Sequence, residues 1–169
     1  MEKNLFSLIP DAEREVLDRA FSCLSSGSLE ESVKRFGSIC DGTYSNYTKS
    51  FANYGIAVTH MQSPSGSEET KDIDIPIFYL RRSIQVLQHA DSYLLFGYAL
   101  EKKICNLIQE NVQRRIFNYS EIQSLLNEAM ESFSRASQLN ASYAKDCSSR
   151  LEELKKIEKD MQKRQAELN

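Results

Sequence analysis

Two histidines, four cysteines and one cluster of carboxylates are the side chains of this chain best suited to chemistry. His60 and His89 are its only imidazoles, the groups whose charge changes nearest neutral pH. A metal site or an acid–base pair needs such rings at a defined spacing. In HExxH, for example, two histidines one helical turn apart share a face. Neither His60 nor His89 has a second ligand at that spacing, and a lone helical histidine is more commonly surface or core filler. Cys23, Cys40, Cys105 and Cys147 form no CxxC pair, so no zinc knuckle can be built from them. There is no glycine-rich phosphate loop and no GxSxG nucleophile elbow. No catalytic residue, metal ligand or cofactor is therefore assigned. The expectation is a chain that is not an enzyme, since no constellation meets the roles that catalysis requires.

The carboxylates point elsewhere. Glu68, Glu69, Asp72 and Asp74 crowd the stretch SPSGSEETKDIDIP, with Lys71 the single cation among them. Serine, glycine and two of the three prolines share that stretch, which predicts a flexible acidic loop over residues 63–75. Acidic loops attract basic partners. Residues 76–118 carry the opposite bias, with Arg81, Arg82, Lys102, Lys103, Arg114 and Arg115 against Asp91, Glu101 and Glu110. Such runs are more often solvated faces than binding sites. A net charge of −3 supplies none of the basic excess that a nucleic-acid surface needs, so no nucleic acid is expected as a partner.

Six glycines and three prolines in 169 residues leave room for long uninterrupted elements, which favours helices. No apolar run reaches bilayer length, and MEKNLFSLIPDAERE lacks a basic-then-apolar leader. The expectation is a cytoplasmic or nuclear protein without a membrane partner. Its cysteines are then free thiols, with Cys23, Cys40 and Cys105 at apolar helix positions.

The apolar side chains recur at helical steps. Pro10 and Asp11 open a first helix through Val16, Leu17, Ala20, Phe21 and Leu24, closed by Ser25–Gly27. Ser28, with Glu31 three residues on, has capping-box spacing for a second helix through Val33, Phe36 and Ile39. A third runs from about Tyr44 to His60 with Gly55 inside it, where glycine costs about 1 kcal/mol against alanine unless something packs closely there. After Pro76 the chain is helical through Leu80 and Leu87. A break at His89–Ser92 leaves open whether 76–112 is one helix or two. Asn118 or Ser120 caps the next helix. Tyr143 begins the last, residues 143–169, in which Leu151, Leu154, Ile157 and Met161 lie at near-heptad spacing.

Small and large residues alternate in a recurring figure. Ala20 is followed by Ser32, Phe36 and Ile39. The second half of the figure returns at Leu126, Ala129, Phe133 and Ala136, and more loosely at Leu80, Ser83, Leu87 and Ala90. Tyr54-Gly55 and Phe96-Gly97 repeat the large-before-small step. On these residues the chain resembles the tetratricopeptide-repeat family. NEAMESFSRASQLNASY is similar to that family's second helix and exit turn, and SFANYGIAV and SYLLFGYAL to its first helix. The family's period is about 34 residues, whereas Gly55 and Gly97 are further apart and the exit turns lack the usual proline. A plain helical bundle fits the same periodicity.

The resemblance implies an all-α single domain over 1–169, with about three helix-turn-helix repeats and a C-terminal capping or coiled-coil helix. First helices in such repeats line a concave face. Arg14, Lys49, Ile56, Thr59, Tyr98 and Lys102 are then the candidate groove residues for a peptide, a helix or a basic protein. Phe21, Ile56 and Leu94 are equally candidates for internal packing. With YTKSFANYGIAVTHM standing before the acidic loop, the chain is also similar to the nuclear autoantigenic sperm protein family of histone chaperones, whose second repeat is interrupted there. That implies a histone partner held through Glu68, Glu69, Asp72 and Asp74. The alternative is a structural subunit of a larger assembly, gripped by its terminal helix.

Overall fold

A computed structural model describes residues 8–62, 72–114 and 118–168, with residues 167 and 168 described by their backbone alone. Among these residues there are seven α-helices and no strand: α1 (Asp11–Ser25), α2 (Leu29–Asp41), α3 (Asn46–Gln62), α4 (Asp74–Val86), α5 (Ala90–Arg114), α6 (Tyr119–Leu139) and α7 (Ala144–Leu168). Sequential neighbours pack on one another: α1 on α2, α2 on α3, α3 on α4, and α6 on α7. No described helix is long and apolar enough to cross a membrane. Where the sequence reading treats 1–169 as one domain, contacts gather the chain into two compact units divided between Ser92 and Tyr93. Each is described in turn.

In unit 1, α1 turns Leu17, Ala20 and Leu24 inward, one face of a helix. It ends as expected at Ser25–Gly27, and the reason is local. Gly27 adopts φ +78°, the left-handed conformation open to glycine. Its N–H then donates to the Leu24 carbonyl (3.0 Å), and the Ser28 N–H to that of Cys23 (2.9 Å). Those two bonds are the paired closure of a Schellman motif. The expected capping box does not form: the Ser28 side chain makes no cap bond, and Glu31 pairs with Arg35 at 2.8 Å.

Small residues mark where α1, α2 and α3 cross. The Ser32 hydroxyl, fully buried, lies 3.4 Å from the Ala20 carbonyl and 3.3 Å from the Thr59 hydroxyl. Phe36 fills the space over Gly55 and meets the Phe21 ring edge-on at 4.8 Å. Gly55 is thus accounted for by a phenylalanine ring, not by a neighbouring backbone. Around this point Ile9, Leu17, Leu24, Ile39, Phe51, Ala52 and Ile56 complete the core.

A carboxylate fixes the start of α3. Glu13 of α1 accepts from the Ser45 N–H (3.0 Å), the Ser45 hydroxyl (2.7 Å) and the Thr48 hydroxyl (2.5 Å). Those donors, the Ser45 hydroxyl first, hold the Glu13 carboxyl below its ordinary range. Replacing Glu13 with glutamine is expected to lower the stability of unit 1 by about 1–2 kcal/mol, the worth of charge-assisted bonds at a helix end. Urea titration at pH 7 measures it, and an unchanged midpoint would show that the contact contributes nothing.

The expected acidic loop at 63–75 lies mostly outside the described residues, Glu68 and Glu69 included. Of its described part, Asp74 and Ile75 already belong to α4, with Pro76 in the first turn. The question left open over 76–112 resolves as two helices parted at residues 87–89.

Unit 2 contains most of α5, with α6 and α7. Phe133 of α6 is fully buried against Gly97 of α5 and meets the Tyr98 ring edge-on at 5.3 Å. Asn118 stands before α6 but makes no cap bond; its side chain donates to Glu121 at 2.7 Å. Asn140 breaks α6 from α7 as expected, its Oδ1 accepting from the Ser142 N–H (2.9 Å) and hydroxyl (2.6 Å). Leu154 and Met161 of α7 are buried. All four cysteines are free, and Cys105, expected at an apolar position, is exposed.

Candidate functional site

His89 and three serines form an enclosed polar cluster in unit 1. His89 directly precedes α5, and Ser83, Ser50 and Ser92 reach it from α4, α3 and the first turn of α5. His89 is 3% exposed and the serines not at all. The Ser92 N–H donates to His89 Nδ1 (3.3 Å), so Nδ1 is unprotonated and the ring caps α5 as an asparagine would. The proton then sits on Nε2, and one direction of donation satisfies every group. Nε2–H donates to the Ser92 hydroxyl (2.6 Å), Ser92 to the Ser83 hydroxyl (2.8 Å), and Ser83 to the Ser50 carbonyl (2.9 Å). Ser50 returns a bond to the Ser83 carbonyl (2.9 Å). The Phe51 ring stacks on the imidazole at 4.9 Å and Tyr54 meets it edge-on at 5.5 Å. Burial pushes the His89 pKa down to about 4, outweighing the opposite pull of Asp91.

A serine hydroxyl 2.6 Å from a histidine nitrogen has the spacing of a nucleophile and its base. Two features redirect it. The second ring nitrogen holds a backbone N–H where a triad would place a carboxylate. Both side chains are also closed to solvent. What the cluster does is lock the α4–α5 connection onto α3.

His60, near the end of α3, lines an open cleft of about 510 Å³ with Asp74, Ile75, Phe78 and Tyr79. Partial burial lowers its pKa, and Asp72 opposes the shift. Among the described residues, no three His, Cys, Asp or Glu side chains gather as metal ligands would.

The groove candidates separate into distinct environments. Thr59, expected to face a partner, and Ile56, a candidate for either the groove or internal packing, are each 1% exposed. Ile56 belongs to the core, and Thr59 donates to the Gly55 carbonyl at 2.8 Å, so neither presents a surface. The cause is that α3 is enclosed on nearly every side, with Thr48, Ser50, Phe51, Ala52, Asn53, Gly55 and Ala57 also buried. Arg14 is engaged locally, donating to the Ile9 carbonyl (3.0 Å) and pairing with Asp11 (3.1 Å). Lys49 is half-buried and Lys102 exposed. Of the four acidic candidates, Asp72 and Asp74 are described and exposed.

Tyr98 belongs to a charged cluster that spacing alone did not reveal. Its hydroxyl donates to Asp146, and Arg150 lies over its ring at 5.3 Å. The same guanidinium donates to Glu101 (3.3 Å) and Glu153 (3.1 Å). Burial raises the Glu101 pKa, with Arg150 opposing. The i,i+4 and i,i+3 steps from Asp146 to Arg150 to Glu153 were visible as helix-surface pairs. Their link to Tyr98 and Glu101 on α5 requires the tertiary fold. The cluster binds α7 to α5 and engages both the ring and the hydroxyl of Tyr98.

No family model matches the chain, and neither does any curated protein or solved structure.

Proposed function

We propose that this chain is a non-enzymatic protein-binding scaffold of tetratricopeptide-like helix pairs, and that its most specific form is a chaperone of a basic partner such as a histone. The observation that carries the reading is a contact made twice. A buried phenylalanine covers a helical glycine in each unit, Phe36 over Gly55 and Phe133 over Gly97. Close packing of small against large residues at helix crossings is how stacked helical pairs keep a common spacing. The Ser32–Ala20 contact, where the paired helices α1 and α2 meet, adds to it. The exposed Asp72 and Asp74, next to Glu68 and Glu69 in the sequence, support a basic partner. The alternative of a subunit gripped by its terminal helix has less support, because Leu154 and Met161 of the heptad seam are already buried.

The chaperone form is tested by titrating the protein with purified histones at low and high salt. Replacing Glu68 and Glu69 with glutamine and Asp72 and Asp74 with asparagine is expected to weaken binding roughly tenfold at low salt, with less difference at high salt. Unchanged affinity at low salt, or no binding by the unaltered protein, would eliminate that form and leave the general scaffold reading to be tested on peptides.

A further inference from the structure

The cleft of about 510 Å³ at the end of α3 has an aromatic wall. Phe78, Tyr79 and Ile75 line it from α4, together with His60 and Asp74. Phe78 is 54% exposed, and its ring lies 5.3 Å from that of Tyr79 with the planes 81° apart, so the two rings form a corner. Aromatic faces carry negative charge density and attract cations. No described lysine or arginine lines the cleft. His60 adds no opposing charge at neutral pH, because partial burial holds its pKa below 6.5. Asp72 lies near enough to pull that pKa upward. Its exposed carboxylate accepts the Asp74 N–H at 3.1 Å, a neutral donor that leaves the negative charge in place. Asp74 is already engaged, so Asp72 is the anion that counts here.

The chain itself shows that the wall accepts a cation. The Arg82 guanidinium lies over the Phe78 ring at 5.7 Å. Arg81, also exposed on α4, is already engaged and does not line the cleft. A guanidinium is planar and stacks on one face. An ammonium is compact and has no plane, so it can meet both walls of a corner while its four-carbon stem covers apolar surface. We propose that this cleft receives a lysine side chain of a basic protein partner, with the stem against Ile75 and the ammonium between the Phe78 and Tyr79 rings, Asp72 supplying the counter-charge. The inference rests on the reading of this chain as a binder of a basic partner, and it names one contact that such a partner makes. Asp72 alone attracts any cation; the rings select one carried on an apolar stem.

The probe is a short, amidated peptide of alternating glycine and lysine, titrated into the full chain at low salt and followed by fluorescence anisotropy and proton NMR. His60 and His89 are the only histidines, and His89 is buried, so the His60 imidazole signals report on the cleft and those of His89 on the rest of the fold. Binding is expected with a Kd of about 0.1–1 mM. It should shift the His60 signals, leave those of His89 in place, and lower the His60 pKa further, since a bound cation opposes protonation. Phe78→Ser is expected to weaken binding about threefold, the worth of an exposed cation–π contact. Asp72→Asn is expected to weaken it by about the same factor at low salt and by less at high salt. Both positions are exposed, and circular dichroism verifies that each variant keeps its helicity. The same peptide acetylated on every lysine loses its charge and is expected not to bind. Binding that Phe78→Ser leaves unchanged, or that does not move the His60 signals, would overturn the cleft as the receptor; a histone titration still sensitive to the acidic residues would then keep the basic-partner reading standing. Equal binding of the acetylated peptide, or none by the unaltered chain at about 1 mM, would overturn it as well.

Discussion

Alanine at position 55 is expected to destabilise unit 1 by about 2–4 kcal/mol, although alanine is ordinarily the better helix former by about 1 kcal/mol. A Cβ built on Gly55 falls 2.3 Å from Cζ of Phe36 and within 2.6 Å of two further ring atoms. The ring cannot swing aside, being fully buried with Phe21 against it. The added methyl group therefore forces a shift of α2 against α3, and overpacking of that kind outweighs the gain in propensity. At Gly97 the same construction comes no closer than 2.8 Å to Phe133, so Gly97→Ala is expected to cost less, about 1 kcal/mol. Thermal melting of the two variants supplies the ordering. A double variant, Gly55→Ala with Phe36→Leu, adds a second measurement. The shorter side chain makes room for the methyl group, so its loss should be smaller than the sum of the single losses by about 1 kcal/mol or more. If Gly55→Ala melts at or above the parent temperature, the close contact is not a determinant of stability.

Acidification is expected to remove about 3 kcal/mol of stability through His89 alone. The ring is neutral in the folded protein down to about pH 4, whereas in the unfolded chain it takes up a proton near its ordinary 6.5. Between those values the unfolded state binds the extra proton, so stability is full above pH 6.5, falls as the pH drops towards 4, and levels off below that. Glu13 adds a loss in a separate window. Its folded pKa is depressed, so its contribution is present above its ordinary 4.5 and disappears as the pH falls lower. His89→Asn separates the two. Asparagine can still accept the Ser92 N–H at the start of α5, but it does not titrate. The variant is expected to be less stable at neutral pH, because packing on Phe51 and Tyr54 is lost, and to show little change between pH 6.5 and 4. Urea titrations across that range decide the matter; an equally steep decline in His89→Asn would assign the acid sensitivity to other groups.

The helices themselves were legible because the signals that start and stop them are local. Pro10, Asp11 and the Ser25–Gly27 turn bound α1 as read, and Asn140 ends α6 through a bond to a residue two positions on. Gly55 and Gly97 announced close contacts that the structure supplies. The environment of the groove candidates on α3 was less legible. Thr59 is buried, as is Ile56, which the sequence also offered for internal packing, because α3 is enclosed by neighbours that sequence periodicity does not place. Its buried positions include serine, threonine and asparagine, which ordinary patterning assigns to water. Ser50 and Thr48 are tolerated inside because partners from distant segments satisfy them, Ser83 for Ser50 and Glu13 for Thr48, while the Asn53 amide donates within α3 to the Lys49 carbonyl. The α4–α5 break was displaced for a related reason. Ser92 read as part of an interruption, but its hydrogen bonds to His89 and Ser83 place it within the first turn of α5.

Anyone wishing to express unit 1 alone meets a difficulty in the way α5 is shared. Contacts divide the chain after Ser92, inside a continuous helix whose first three residues belong to unit 1. A fragment stopped at the gap before the helix forfeits His89 and Ser92, leaving Ser83 without the hydroxyl and imidazole beside it. One stopped at Ser92 keeps both groups on a stub too short to hold helical geometry, since helices of a single turn are not stable in isolation. A workable fragment must borrow further turns from its neighbour, and with them apolar side chains such as Phe96 and Leu100, which are buried in the full chain. The natural place to cut this protein is therefore not where its contacts thin out.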